Sequence, residues 1–238
     1  PTKVDADTCR MAFSATPNFE SAADADTNNV YLVNLIGTDA GGNADTIALT
    51  ITVVNTNDEP PVFADGDTDA QSVNEGTTSL GSDYDVTDAD TTDTFNDLST
   101  CTDSGDDAAD FTPTKVDADT CRMAFAATPD YESAADANTN NIYLVNLIGT
   151  DAGGNADTIA LTITVVDLND NSPVFADGAT DAQSVNEGTT ALGDDYTVAD
   201  ADSTDAVNTC TDSGDDAADF TPTKVSGTVC RMAFSATP

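Results

Sequence analysis

The sequence predicts an all-β chain of tandem β-sandwich repeats, each about 112 residues long, and three observations carry that reading. The first is repetition, which is sought before secondary structure because a missed repeat misassigns the whole fold. Ser21 to Val54 recurs 112 residues later as Ser133 to Val166, with changes only where Asp26 becomes Asn138 and Val30 becomes Ile142. The second is a period of two in apolar residues, the mark of a half-buried strand. The third is turn chemistry between the apolar runs, in clusters of Gly, Asn and Asp such as Asp151 to Asn155.

Within one repeat the shorter strand candidates run Ala70 to Val73, Gly81 to Val86, Leu98 to Thr102, Phe111 to Val116 and Thr120 to Thr128. Asn141 to Ile148 then places Tyr143, Val145 and Leu147 on one face and Leu144 and Ile148 on the other. In Asp157 to Val166, Ile159, Leu161, Ile163 and Val165 alternate with Thr and Ala, which gives one apolar face. About seven strands per repeat is the pattern of an immunoglobulin-like sandwich, and an array of these predicts an extended rod.

Pro1 to Val4 returns as Pro113 to Val116 and as Pro222 to Val225. The second interval is three residues shorter, because the stretch from Asp93 to Cys101 exceeds its counterpart from Asp205 to Cys210; that indel marks a loop or a strand end. The expected organisation is a C-terminal part-repeat over 1–59, a complete repeat over 60–171 and an N-terminal part-repeat over 172–238, within a longer array that holds any targeting or anchoring element.

Charge narrows the function. With 44 Asp plus Glu against 6 Lys plus Arg, the formal net charge is −38. Such a surface repels nucleic acid and anionic lipid, so neither is an expected partner. No run approaches the roughly 18 apolar residues of a membrane helix, and Pro1 to Thr8 carry no signal-peptide pattern. Multivalent cations are the obvious means of offsetting the self-repulsion of so much acid. Catalysis is not expected: there is no His, no GxSxG elbow and no phosphate-binding Gly-rich loop followed by Lys.

The most informative residues lie where one repeat passes into the next, in Val166-Asp-Leu-Asn-Asp-Asn-Ser-Pro-Val-Phe175. Carboxylates and amide oxygens packed this closely on a turn-prone segment suit calcium, which takes six to eight hard oxygens; the same composition also suits a plain linker. Four further motifs accompany it in fixed order: Asn74-Glu75-Gly76, Asp88-Ala-Asp90, Asp130-Tyr-Glu132 and Asp151 in Thr-Asp-Ala-Gly-Gly.

Together these five motifs resemble the cadherin repeat over the whole chain. In order they match its early glutamate, its DxD motif, its DRE-type motif with Tyr in place of Arg, its later lone aspartate and its DxNDNxPxF linker. The resemblance implies calcium between consecutive repeats. The second junction would then use Glu75, Asp130, Glu132, Asp167, the Leu168 carbonyl, Asn169, Asp170 and Asn171 with Asp200 and Asp202. The first would use Glu20, Asn55, Asn57, Asp58 and Glu59 with Asp88, Asp90 and Asp151. Asn18 and Asn55 replace acids there, while Glu59 is gained, so the first junction is expected to bind calcium more weakly. The rival account of the acid is salt adaptation, under which Asp106 to Asp110 and Asp24 to Asp26 are solvated faces. With no Trp in the chain, the tryptophan strand exchange of vertebrate members has no counterpart.

Cys101 and Cys121, and likewise Cys210 and Cys230, are spaced to close disulfides between neighbouring strands, each worth about 3 kcal/mol in the chain-entropy model. Cys9 corresponds to Cys121. Zinc is the poorer reading of these pairs without His or CxxC, and disulfides place the chain outside the cell. All six basic residues fall at one place in the repeat; Lys115 and Arg122 are expected either to neutralise Asp103 to Asp110 or to meet acidic faces of adjacent chains. The leading expectation is a calcium-rigidified array at a cell surface, with a microbial flavour of composition, acting as filament, stalk or adhesin and assembling with copies of itself. The alternative is a salt-adapted acidic spacer that carries a separate binding domain.

Overall fold

The computed structural model describes residues 1–90, 97–202 and 206–237. In chain order the strands are β1 (Thr2–Lys3), β2 (Cys9–Arg10), β3 (Val30–Thr38), β4 (Ala44–Thr52), β5 (Val62–Phe63), β6 (Thr68–Asn74), β7 (Ser79–Thr87) and β8 (Leu98–Ser104). They continue as β9 (Phe111–Lys115), β10 (Thr120–Phe125), β11 (Ile142–Asp151), β12 (Ala156–Val166), β13 (Val174–Phe175), β14 (Ala191–Ala199), β15 (Phe220–Ser226) and β16 (Val229–Phe234). Two single turns of 3-10 helix precede β9 and β15, and no α-helix occurs among the described residues. The predicted strand runs are therefore found with shifted ends: the run from Thr120 stops at Phe125 rather than Thr128, the run from Phe111 stops at Lys115 rather than Val116, and the run from Asn141 begins at Ile142.

The chain divides into two compact units: Pro1–Ala70 with Ser79–Ala126 and Leu144–Thr162, and Gln71–Thr78 with Ala127–Tyr143 and Ile163–Pro238. In the first unit, β5-β7-β10-β9 form one sheet, and β3 and β4 form a hairpin. A second four-stranded sheet has the order β6-β12-β11-β8. The two four-stranded sheets are the halves of a sandwich whose core is the alternating face read from sequence: Tyr143, Val145, Leu147, Ile159, Leu161, Ile163 and Val165 are all buried, with Phe63, Tyr84, Leu98 and Met123. Each such side chain contributes roughly 1.5–3 kcal/mol on leaving water. Phe111 and Phe125 stack across β9 and β10 with ring centroids 4.6 Å apart.

Cys101 on β8 and Cys121 on β10 form a disulfide with Cα atoms 5.8 Å apart. It links facing strands of opposite sheets rather than hydrogen-bonded neighbours, because β8 pairs with β11 and β10 with β7 and β9. In the second unit β13-β14-β16-β15 form a sheet, and Cys210 pairs with Cys230. Cys9 is exposed and free. The indel falls partly outside the described residues, since Asp93 and Asp205 are among those not described.

Arg122, expected to neutralise Asp103 to Asp110, pairs elsewhere, and so does its copy Arg231. Arg122 forms a two-pronged ion pair with Asp83, at 2.5 and 2.6 Å, and Arg231 repeats it with Asp195 at 2.5 and 2.7 Å. Register is the reason: Arg122 lies directly opposite Asp83 on β7, while residues 103–110 begin at the end of β8, a strand of the other sheet. Lys115 donates to the Leu98 carbonyl.

Candidate metal centres

The first cluster lies within the first unit. One carboxylate oxygen from each of Glu20, Asp58 and Asp90 lies within 4.8 Å of the others. Asp90 is fully buried, and its Oδ2 accepts the backbone N–H groups of Asp58 (3.1 Å) and Glu59 (3.0 Å). The Asp88-Ala-Asp90 spacing folds back on itself, the Asp90 N–H donating to Asp88 Oδ1 at 2.9 Å. No donor reaches Glu20 Oε1, Asp88 Oδ2, Asp90 Oδ1 or the buried Asn55 Oδ1, and the Asn55 side-chain N–H groups meet no acceptor. Burial raises the Glu20 carboxyl, helped by the charges of Asp90 and Asp58; burial likewise raises Asp88, helped by Asp90 and Asp151.

Asp151, predicted as a ligand, anchors its own turn, with Oδ1 accepting the N–H groups of Gly154 (2.7 Å) and Asn155 (2.8 Å). Asn155 was not singled out from sequence. Its side-chain amide donates to Asp151 Oδ2 (2.9 Å), to Asn57 Oδ1 (2.8 Å) and to the Asn57 carbonyl (3.3 Å), so it fixes Asn57 to this turn. A Cβ at Gly153 would collide with the Asn57 side chain, which makes glycine a packing requirement there. In the sequence, Gly153 and Asn155 read only as part of the turn that follows Asp151.

The second cluster lies within the second unit. Carboxylate oxygens of Glu75, Glu132 and Asp167 meet within 4.8 Å, as do those of Glu132, Asp170 and Asp202, so Glu132 belongs to both sets. Buried Glu75 accepts the N–H groups of Tyr131 (2.6 Å) and Leu168 (2.7 Å), which ties the Asp130-Tyr-Glu132 and Asp167-to-Asn171 segments to one carboxylate. Asn171 donates its backbone N–H to Asp202 Oδ2 (3.0 Å) and its side-chain amide to Glu132, Asp170 and Asp202 at 3.0–3.1 Å. Asp200 Oδ1 accepts the Asp202 N–H at 3.2 Å. Asp130 lies outside both sets and accepts the Ser133 N–H at 3.0 Å; Asn18 makes the same bond to Ser21 at 2.7 Å without the charge. The Leu168 carbonyl accepts the Asp170 N–H at 3.1 Å. Loss of hydration raises the Glu132 and Asp170 carboxyls, and the Glu75, Asp167 and Asp202 charges add to it.

Two acids assigned to solvated faces are structural instead. Asp107 is buried and accepts the Leu144 N–H at 2.6 Å. Asp24 accepts the N–H groups of Asn28 (2.9 Å) and Asn29 (3.1 Å), and its repeat partner Asp136, also buried, does the same for Asn140 and Asn141. These loops matter to the clusters because Asn141 donates to the Tyr131 carbonyl at 2.8 Å, beside Glu132.

The donor sets suit a hard divalent cation: all are oxygen, several are buried, and four carboxylate or amide oxygens of the first cluster have no protein donor.

Sandwich sheets, ordered strand pairing and these acid sets define a cadherin-like class of fold. No protein-family model and no curated protein sequence matches the chain. Among solved structures it is similar to the protocadherin gammaB4 extracellular domain, at 22% identity over 91% of this chain and 33% of that one, with a TM-score of 0.57. It is also similar to protocadherin gammaB7 EC3-6, described as a cis-dimer (19%, 89% and 50%, 0.55), and to human CDH23 EC21-23 (20%, 92% and 68%, 0.52). The chain thus spans from a third to two thirds of the length of these solved chains. The chain has the cadherin-like β-sandwich fold.

Proposed function

We propose that the chain is a calcium-stiffened, extracellular array of cadherin-like repeats with a structural or adhesive role at a cell surface, its repeats bounded at 59/60 and 171/172. The carrying observation is the first cluster, where carboxylate oxygens of Glu20, Asp58 and Asp90 converge and buried oxygens of Glu20, Asp90 and the nearby Asp88 receive no donor. Burying charge without a partner is costly, so the arrangement calls for a cation. Glu20, Asp58, Asp88 and Asp90 would hold it in the first cluster, and Glu75, Glu132, Asp167, Asp170 and Asp202 in the second, with Asn55, Asn57, Glu59, Asp130, Asp151, the Leu168 carbonyl, Asn169, Asn171 and Asp200 completing the shells. Bound there, calcium supplies positive charge that offsets the repulsion among these acids.

The protein's own residues do the rest. Glu75 holds two chain segments through their amides, and Asp90 holds the Asp58-Glu59 segment. The two disulfides suit an oxidising compartment, and no helix among the described residues is long and apolar enough to cross a membrane. Titration calorimetry with calcium, and with magnesium as control, tests the reading. Saturable calcium binding lost in Asp90→Ala and Glu132→Ala supports it; weak binding of both ions, unchanged by these substitutions, leaves an acidic, salt-adapted spacer.

A further inference from the structure

The two junctions carry the same three acids in matching places and differ at the residue beside them. Glu20, Asp58 and Asp90 form one set, and their copies 112 residues on, Glu132, Asp170 and Asp202, form another. The backbone next to each set is anchored alike: the Glu59 N–H donates to Asp90 Oδ2 and the Asn171 N–H to Asp202 Oδ2, both at 3.0 Å. Glu59 and Asn171 are themselves copies, so an acid stands at the first junction where an amide stands at the second.

That amide lies at the centre of its set. Asn171 Nδ2 is 3.1 Å from Glu132 Oε2, 3.0 Å from Asp170 Oδ1 and 3.1 Å from Asp202 Oδ1. One nitrogen is thus nearly equidistant from three carboxylate oxygens, which is the place that a cation bound to all three takes. It offers two hydrogens to three acceptors, so it offsets only part of their charge. At the first junction Glu59 supplies no amide. There no donor among the described residues reaches Glu20 Oε1 or Asp90 Oδ1, the latter being the copy of the Asp202 oxygen that Asn171 satisfies.

An amide N–H and a calcium ion exclude each other from that place, because calcium takes oxygen ligands at about 2.3–2.6 Å and repels the positive end of an N–H dipole. Resting on the calcium reading above, we propose that the Asn171 side-chain amide is a displaceable internal stand-in for the cation: it holds Glu132, Asp170 and Asp202 together in chelator and swings out when calcium binds. Rotation of the side chain alone clears the place, since the backbone N–H keeps its bond to Asp202 Oδ2. Glu132, Asp170 and Asn171 are exposed, so an ion reaches the three acids from solvent. The two junctions therefore respond differently to chelation. The second keeps its acids together and gives up part of its calcium affinity, because binding must displace the amide. The first, with Glu59 in that place, relies on the ion.

Melting of the 238-residue chain and its variants, in chelator and in saturating calcium, tests this. Asn171→Ala should lower the melting temperature by about 3 °C in chelator and by less in calcium, so that the gain on adding calcium grows. An Asn171 with a merely structural role lowers both equally. Glu59→Asn is the mirror experiment, since it brings an amide to Glu20, Asp58 and Asp90. In chelator it should melt higher than Glu59→Ala, which removes the same charge without supplying a donor. If the unaltered chain melts higher in calcium, but Asn171→Ala loses as much in calcium as in chelator or Glu59→Asn has no advantage over Glu59→Ala, the proposal is overturned and the calcium reading stands. An unaltered chain that melts alike in both conditions overturns the calcium reading and the proposal with it.

Discussion

The two acid clusters are built from corresponding motifs yet solve the problem of crowded charge differently. In the second, backbone amides and the Asn171 side chain donate to Glu75, Glu132, Asp170 and Asp202. In the first, Asp90 Oδ2 receives two amides, while Asp90 Oδ1, Asp88 Oδ2 and Glu20 Oε1 receive none. The protein's own donors therefore offset more of the charge in the second cluster. Carboxylate count also differs: three acids converge in the first set, five in the two overlapping second sets. Affinity should follow the count, and the burden of lacking a cation should follow the missing donors.

The largest effect should come from Glu132→Ala. Glu132 sits in both sets of the second cluster, so its loss should remove more bound calcium than any other single cluster substitution, measured by calorimetric stoichiometry. The binding left in that variant, from the first cluster, should be weaker than the binding left in Asp90→Ala; equal affinities would contradict the count argument.

Asp90→Ala should also destabilise the chelated protein by about 2 kcal/mol, because the Asp58 and Glu59 amides lose their acceptor. Chemical denaturation in chelator checks this.

Glu20→Gln should change sign with conditions. In chelator it removes repulsion beside Asp90 and is expected to stabilise by about 1 kcal/mol; in calcium it should weaken binding. Glu132→Gln, on an exposed side chain, should leave the chelated protein almost unchanged in stability.

A smaller effect concerns pH. Burial raises the Glu20 and Asp88 carboxyls. An acid with a raised folded pKa binds its proton more tightly folded than unfolded, so its contribution falls as pH rises above the ordinary carboxylate range of about 4. The melting temperature in chelator should therefore decrease as pH rises above about 4, and calcium, which binds the deprotonated form, should remove that decrease. The smallest effect belongs to Arg122→Gln: its ion pair with Asp83 is half exposed and screened by solvent, so the melting temperature should hardly change and calcium binding should be unaltered.

Much of this fold was legible in the sequence because strands write their burial as a period of two. Ile159, Leu161, Ile163 and Val165 are buried as that alternation requires. The acids that meet at Glu132 were legible because their motifs occur in order. Other features depend on partners that no local pattern specifies. Arg122 meets Asp83 through strand register, and Asn155 reaches Asn57 across 98 residues of chain. Asp107 and Asp136 resemble solvated acids in sequence but bind backbone amides of neighbouring segments.

The most direct test of the calcium account is thermal melting, paired with small-angle scattering, of this chain in millimolar calcium and then in excess chelator at fixed ionic strength. The account predicts a higher melting temperature and a stiffer, more extended particle in calcium, with both changes lost in a chain carrying Asp90→Ala and Glu132→Ala. Identical melting and scattering with and without calcium would contradict it, and the acid clusters would then be features of an acidic surface alone.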